Sequence, residues 1–292
     1  MKVQIDPGAG PCFGVKRAIK IAKDTLEKKT QLLCVGDLIH NEQEINRLKN
    51  LGLKTLSLAQ AINSSDQKIL FRAHGEPPSS YKNAERKGKT ILDATCPIVA
   101  SLQKEIQEIY RETQNTNAQI VIFGNRNHPE IISLLGFCEG KAIIIEKTDD
   151  LNKVNDHQNI HLFSQTTQYN SNYLLIKEAI IKNILALGLN LQEHFFFHDS
   201  SCKIVAQRDE QLKEFFQDKD IILFVSGKKS SNGKQLFKIC QQSGIESYFI
   251  SQVSDINPKW FQRKENMGIS GATSTPYWLL EDVKNNVEKY LK

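Results

Sequence analysis

No stretch of this chain approaches the roughly 18 consecutive apolar residues that span a bilayer; its longest apolar runs are pieces such as IILFV and IVIF. A membrane role is therefore not expected. There is no basic stripe either, because 38 Lys and Arg and 33 Asp and Glu are scattered along 292 residues for a net charge of +5. Nucleic acid asks for clustered cations, so it is not expected as a partner. The small positive excess suits a solvated surface and helps to attract a polyanionic metabolite. Six cysteines, at 12, 34, 96, 138, 202 and 240, include no CxxC pair and no close-spaced zinc set. That argues against a disulfide framework and a zinc knuckle. The Walker pattern GxxxxGK[ST] is missing, as is any low-complexity segment. Met1 runs directly into the strand-like KVQID with no leader pattern, from which a cytoplasmic protein is expected.

What is present is a regular alternation of short apolar runs and amphipathic stretches. KVQID, LLCVG, ILFRAHG, TILDAT, AQIVIFG, AIIIE, IHLFSQT, HFFFH, IILFVSG, SYFIS and MGISG read as strands. Helical patterns lie between them, notably Val15 to Lys28, Pro97 to Arg111, Tyr173 to Leu187, Ala206 to Gln217 and Tyr277 to Leu291. Strands rich in Val, Ile, Leu and Phe with helices between them imply parallel sheets covered on both faces.

Three cysteines share one setting. Cys12 follows KVQID, Cys96 follows TILDAT and Cys202 follows HFFFHDSS, and each precedes a helix. The recurrence suggests three α/β units of similar build, with the thiols at the strand edge where ligands bind in open parallel sheets. A helix N-terminus stabilises a thiolate, and thiolates are the ligands of iron–sulfur clusters. Three ligands are one short of the usual four, which leaves one iron open as a Lewis acid beside an electron store. Cys34 inside a strand and Cys138 and Cys240 elsewhere read as small core residues.

The other strand ends carry polar groups. GDLIHN brings His40 and Asn41, FRAHGE brings His74, and FGNRNHPE brings His128 and Glu130. FSQTTQ brings Thr166 and Thr167, VSGKKSSNG brings Ser230, Ser231 and Asn232 at a helix start, and GATSTP brings Ser274 before the last helix. Any one histidine or N-cap serine is ordinarily structural. Gathered on one edge, neutral donors at helix N-termini hold phosphate oxygens, at about 1.5–3 kcal/mol per hydrogen bond to a charged group. His157, His161, His194 and His198 have no comparable setting.

GPCFGVKRAI, LIHN, AHG, DATCP, HPE, QTT, SSN and STP, in this order from Gly10 to Pro276, resemble the 4-hydroxy-3-methylbut-2-enyl diphosphate reductase family. The resemblance implies an α/β fold of three αβα lobes with small parallel sheets in pseudo-threefold arrangement around a central iron–sulfur cluster. The lobes are expected over 14–96, over 97–199, and over 1–13 with 200–292. One [4Fe-4S] cluster per chain would be held by Cys12, Cys96 and Cys202. The family reaction is reductive dehydroxylation of an allylic diphosphate alcohol to isopentenyl and dimethylallyl diphosphate, with electrons from ferredoxin or flavodoxin. By the same resemblance Glu130, helped by Thr166, relays the proton that lets the hydroxyl leave as water. His40, His74, Ser230, Ser231, Asn232 and Ser274 hold the diphosphate, and His128 stands close to both. The chain departs from the family pattern at Pro11, Ser133, Val205 and Gly233, which bears on the hydrogen bonds around the site rather than on the reaction class.

Three other readings compete. Gly8, Gly10 and Gly14 with Asp37 imitate a dinucleotide fingerprint, although Pro11 removes an N–H where a pyrophosphate needs one. Quinolinate synthase resembles the same three-lobed, three-cysteine design, but its substrates are not diphosphates. A structural zinc site using the three cysteines and a histidine would need ligand spacings far longer than a knuckle allows.

Overall fold

The computed structural model describes residues 1–28, 31–168 and 170–291. In chain order the elements are β1 (Lys2–Ile5), α1 (Phe13–Leu26), β2 (Leu32–Val35), α2 (Glu42–Asn50), β3 (Leu53–Leu56), α3 (Leu58–Asn63), β4 (Lys68–Phe71), α4 (Pro78–Arg86), β5 (Thr90–Asp93) and α5 (Pro97–Thr113). Then come β6 (Ala118–Phe123), α6 (Pro129–Phe137), β7 (Ile143–Ile145), β8 (Asn159–Ser164), α7 (Asn170–Ala186), α8 (Leu191–His194) and β9 (Phe195–Phe197). The chain finishes with α9 (Lys203–Phe215), β10 (Ile221–Val225), α10 (Ser231–Gln242), β11 (Glu246–Ile250), β12 (Asn266–Gly271) and α11 (Tyr277–Tyr290).

The strands lie in three four-stranded sheets, as the alternation predicts. One has the order β1-β12-β10-β11 and another β7-β6-β8-β9; the third holds β2 to β5, with β2 against β3 and β4 against β5. The pairings described are parallel. By contacts the chain forms two compact units, Met1–Ser57 with Lys203–Lys292, and Leu58–Cys202.

The first unit is built on β10, all five of whose residues are buried. Leu223, Val225, Met267 and Ile269 meet Leu279, Leu280 and Val283 of α11 in one core, each contributing about 1.5–3 kcal/mol by leaving water. In the second unit β6 and β8 carry two cores, one against Tyr173, Ile176 and Ile180 of α7, the other against Leu102, Ile106 and Leu134 of α5 and α6. Both faces of the central strands are covered, which is why their sequences read as continuous apolar runs.

The eleven expected strands form, and a twelfth, β3, was not anticipated. Its sequence LKTL has one buried residue, and it is an edge strand on which two polar side chains break the apolar run. Helices α1, α7 and α9 start two or three residues before the expected positions. Phe13 at 60% and Ile204 at 41% exposure show why: the first turn faces outward, where apolar periodicity carries no signal.

A buried ion pair fixes the turn after β1. Arg208 on α9 donates from Nη2 to Asp6 Oδ2 at 2.7 Å, with side chains 3% and 2% exposed. Ser270 Oγ donates to the same oxygen at 2.7 Å, and Gly8 N–H donates to Asp6 Oδ1 at 2.8 Å. A Cβ on Gly8 would lie 2.3 Å from Arg208 Nη1, and Gly10 has φ +118°. These two glycines serve a guanidinium and a left-handed turn, and Asp37 faces Lys229 at 3.5 Å; the dinucleotide reading loses its supports. Arg208→Ala leaves Asp6 buried and unpaired, so urea unfolding is expected to show a loss of about 3–5 kcal/mol. Lys20→Ala, which breaks the solvent-screened pair with Asp24, is expected to leave the urea midpoint unchanged.

Candidate active site

Each of the three cysteines stands at the same kind of junction. Cys12, Cys96 and Cys202 follow β1, β5 and β9, whose partners are β12, β4 and β8. The cysteine N–H donates to a carbonyl just past that partner: Cys12 to Thr273 at 2.9 Å, Cys96 to Ala73 at 2.9 Å, Cys202 to Thr166 at 3.0 Å. Cys12 and Cys96 are the N-caps of α1 and α5, in extended backbone, and their carbonyls accept the first helical bonds from Lys16 and Ala100. Cys202 immediately precedes α9. An aspartate shapes each approach, through Gly8 N–H on Asp6, Thr95 N–H on Asp93 and Ser201 Oγ on Asp199. Each of the three thus stands at the N-terminus of a helix.

The remaining cysteines are placed differently. Cys34 is fully buried in β2, burial pushes the Cys240 thiol up to about 12, and burial raises that of Cys138. None of the six is in a disulfide. Cys12 and Cys96 are partly exposed and Cys202 is 8% exposed, whereas Cys34, Cys138 and Cys240 are fully buried.

In the first unit, hydrogen bonds join five of the expected residues. Ser230 is the N-cap of α10, accepting from Gly233 N–H at 3.0 Å, and its Oγ lies 3.1 Å from Ser274 Oγ. Ser274 Oγ donates to the His40 carbonyl at 3.4 Å. Asn232 Oδ1 accepts from both the N–H and the Oγ of Thr273 at 3.0 Å, and the Thr273 carbonyl takes the Cys12 N–H. Ser231 is the first residue of α10 and half-buried. Gly227 lets this loop close on α2, since a Cβ there would meet the His40 carbonyl at 2.3 Å. Gly233 has a local reason: a Cβ would lie 2.0 Å from Ser226 Oγ, so serine or threonine does not fit beside this Ser226.

The second unit holds the acid. Glu130, 1% exposed, sits in the first turn of α6. Its Oε1 accepts the Thr166 N–H at 2.7 Å and its Oε2 the Thr166 hydroxyl at 2.9 Å. Burial pushes the carboxyl up to about 7, against the restraint of the two Thr166 hydrogen bonds. His128 caps α6, its Nδ1 accepting the Glu130 N–H at 3.2 Å, which leaves Nε2 to carry the hydrogen of the neutral ring. The His74 ring meets His128 edge-on, centroids 5.2 Å apart. Ser133, at a usual glycine, accepts from Gln103 Nε2 at 2.7 Å, and both side chains are buried. Thr167 is engaged by Gln165 Nε2 at 2.7 Å, so it braces the loop.

Sequence reasoning missed Thr273, Gln165 and Gln103. Thr273 and Gln165 lie inside the quoted motifs GATSTP and FSQTTQ, but nothing in a one-dimensional pattern marks which hydroxyl or amide faces a partner loop. Gln165 is fully buried and its Oε1 accepts the Asn125 N–H at 3.1 Å, tying the loop after β8 to the loop after β6.

Comparison with known proteins covers nearly the whole chain. A family model described as LytB protein matches residues 3–288. The chain is 42% identical over 289 residues to the 4-hydroxy-3-methylbut-2-enyl diphosphate reductase of Parabacteroides distasonis, covering 99% of this chain and 98% of the other. It is 40% identical over 292 residues to the protein of that name from Bacteroides thetaiotaomicron, covering 100% and 99%. Its fold is similar to the solved E-1-hydroxy-2-methyl-but-2-enyl-4-diphosphate reductase from Plasmodium falciparum, with a TM-score of 0.85 at 22% identity over 97% of this chain and 86% of that one. A solved (E)-4-hydroxy-3-methyl-but-2-enyl diphosphate reductase, titled the terminal enzyme of the non-mevalonate pathway, aligns with a TM-score of 0.72 at 31% identity over 98% and 99%. With a match along nearly its whole length, and three small parallel sheets in common with the solved structures, the chain belongs to the LytB protein family.

Proposed function

We propose that the protein reduces (E)-4-hydroxy-3-methylbut-2-enyl diphosphate to isopentenyl and dimethylallyl diphosphate, with Cys12, Cys96 and Cys202 holding one [4Fe-4S] cluster. The observation that carries this reading is the threefold junction, in which each cysteine N–H is pinned to a carbonyl past the neighbouring strand. The donor set fits: three soft thiolates at helix starts, with the other three cysteines withdrawn into the core. When bound, the cluster supplies an open iron for the substrate hydroxyl and a store for electrons arriving one at a time. The lobes are proposed over 14–96, 97–199, and 1–13 with 200–292; by these bounds Cys96 closes the first, and Cys12 and Cys202 both fall in the third.

The residues of the chain do the rest. Ser230, Ser231, Asn232 and Ser274, with His40 and His74, bind the diphosphate as donors, and α10 directs its N-terminus at the anion. His128 orients Glu130 by accepting its backbone N–H. Glu130 gives a proton to the departing hydroxyl, so that the C–O bond breaks to release water while two electrons enter the allylic fragment. A second proton, added at either end of that fragment, yields the two products. A carboxyl near neutrality is suited to this task, since hydroxide is a poor leaving group and a positioned acid contributes about 10²–10⁴-fold. Ferredoxin or flavodoxin is proposed as donor, in the cytoplasm, where thiols stay reduced. No described helix is long and apolar enough to cross a membrane.

Glu130→Gln is expected to keep the cofactor and lose about 10²–10⁴-fold in turnover; full turnover in that variant removes Glu130 from the mechanism. The acid form of Glu130 is depleted as pH rises through about 7. The proton-dependent rate of the native enzyme should therefore fall about tenfold per pH unit above that value, measured by stopped flow, with the Gln variant flat. Serine at Cys12, Cys96 or Cys202 should strip iron after anaerobic reconstitution, whereas Cys34→Ser and Cys138→Ser should retain it. Equal iron in all five variants would sink the ligand assignment.

A further inference from the structure

The two units contain the same small device with different chemistry at its head. In the second, Glu130 is the second residue of α6, the helix after β6, and its carboxylate accepts the N–H and hydroxyl of Thr166. Thr166 is the second residue past β8, and its carbonyl accepts the Cys202 N–H. In the first, Asn232 is the second residue of α10, the helix after β10, and it accepts the N–H and hydroxyl of Thr273. Thr273 is the second residue past β12, and its carbonyl accepts the Cys12 N–H.

The exchange of carboxylate for carboxamide changes what the device delivers. Glu130 spends one oxygen on each threonine donor and stays a proton carrier. Asn232 has a single oxygen, which takes both donors at 3.0 Å. An amide turned over would set its own N–H groups against an N–H and a hydroxyl, so the two donors fix its orientation. Its NH₂, with two donor hydrogens, is thereby turned away from Thr273 in a residue only 5% exposed. Thr273, 8% exposed, is the group that enforces this.

We propose that Thr273 is a positioning residue for the diphosphate: by holding Asn232 Oδ1 with two donors it presents the Asn232 NH₂ to the phosphate oxygens, and through its carbonyl it keeps that anion site in register with the Cys12 loop. This rests on the function proposed above. The hydroxyl is the separable part, because the backbone N–H survives any substitution, and valine preserves the branched shape without it.

The test uses the cluster-loaded enzyme, handled anaerobically, with inorganic pyrophosphate as a binding probe in calorimetry and the C5 diphosphate alcohol as substrate. Thr273→Val is expected to weaken pyrophosphate binding and raise KM together by about fivefold to twentyfold, part of one charge-assisted hydrogen bond. Its kcat and iron content should stay within about twofold, and Thr273→Ser should restore both binding and KM. Unchanged binding and KM in the valine variant, a serine variant as impaired as valine, or a fall in kcat with KM constant would each overturn the assignment. A native protein that neither binds pyrophosphate nor turns over the alcohol overturns the functional reading itself, and this inference with it. Native binding and turnover alongside an indifferent valine variant overturns the inference alone.

Discussion

A single type of backbone hydrogen bond governs where three of the cysteines stand. Each special cysteine begins or precedes a helix, and its N–H is held by a carbonyl from the exit of the adjoining parallel strand. Parallel pairing supplies this naturally, because both strands end on the same edge and their exits lie side by side. The cysteine thus inherits its position from a sheet rather than from a flexible loop. Aspartates before each cysteine, and at Asp6 a buried arginine as well, take up the remaining freedom of the approach. Geometry of this kind suits a metal ligand, whose sulfur must be placed before the metal arrives.

Burial sorts the ionisable groups of each unit. Withdrawal from water raises the Glu130 carboxyl to about 7, where it can both hold and release a proton in a neutral cell. The thiol of Cys240 goes up to about 12 for the same reason, and there burial silences the group. The difference lies in the starting points: a carboxyl begins at 4.5 and a thiol at 9.0, so a similar upward push leaves the first near neutrality and the second fully protonated. The pairs Glu130–Thr166 and Asn232–Thr273 place a carboxylate in one unit at the position where the other has a carboxamide.

Much of this was legible in the sequence, and the limits were physical. Strands β6 and β10 announce themselves because burial on both faces demands unbroken apolar runs. Strand β3, half exposed at an edge, left no such trace. The three junction cysteines could be separated from the core cysteines by their place between strand and helix. Gly233 and Ser133 looked like bare departures from a family pattern until Ser226 and Gln103, distant in sequence, were seen to fill the neighbouring space. Thr273 was hidden for a similar reason, since its partner is 41 residues away and nothing local distinguishes it from a turn threonine.

The central claim is that three sulfurs, remote along the chain, hold one inorganic cofactor on which a diphosphate alcohol loses its hydroxyl. Its most direct measurement is the iron and acid-labile sulfide content of protein purified without air, followed by turnover of the C5 diphosphate alcohol with a reduced dye. The account predicts about four irons and four sulfides per chain, with release of both five-carbon diphosphate products. A colourless protein carrying zinc without sulfide, or an iron-loaded protein that leaves the alcohol untouched, would contradict it.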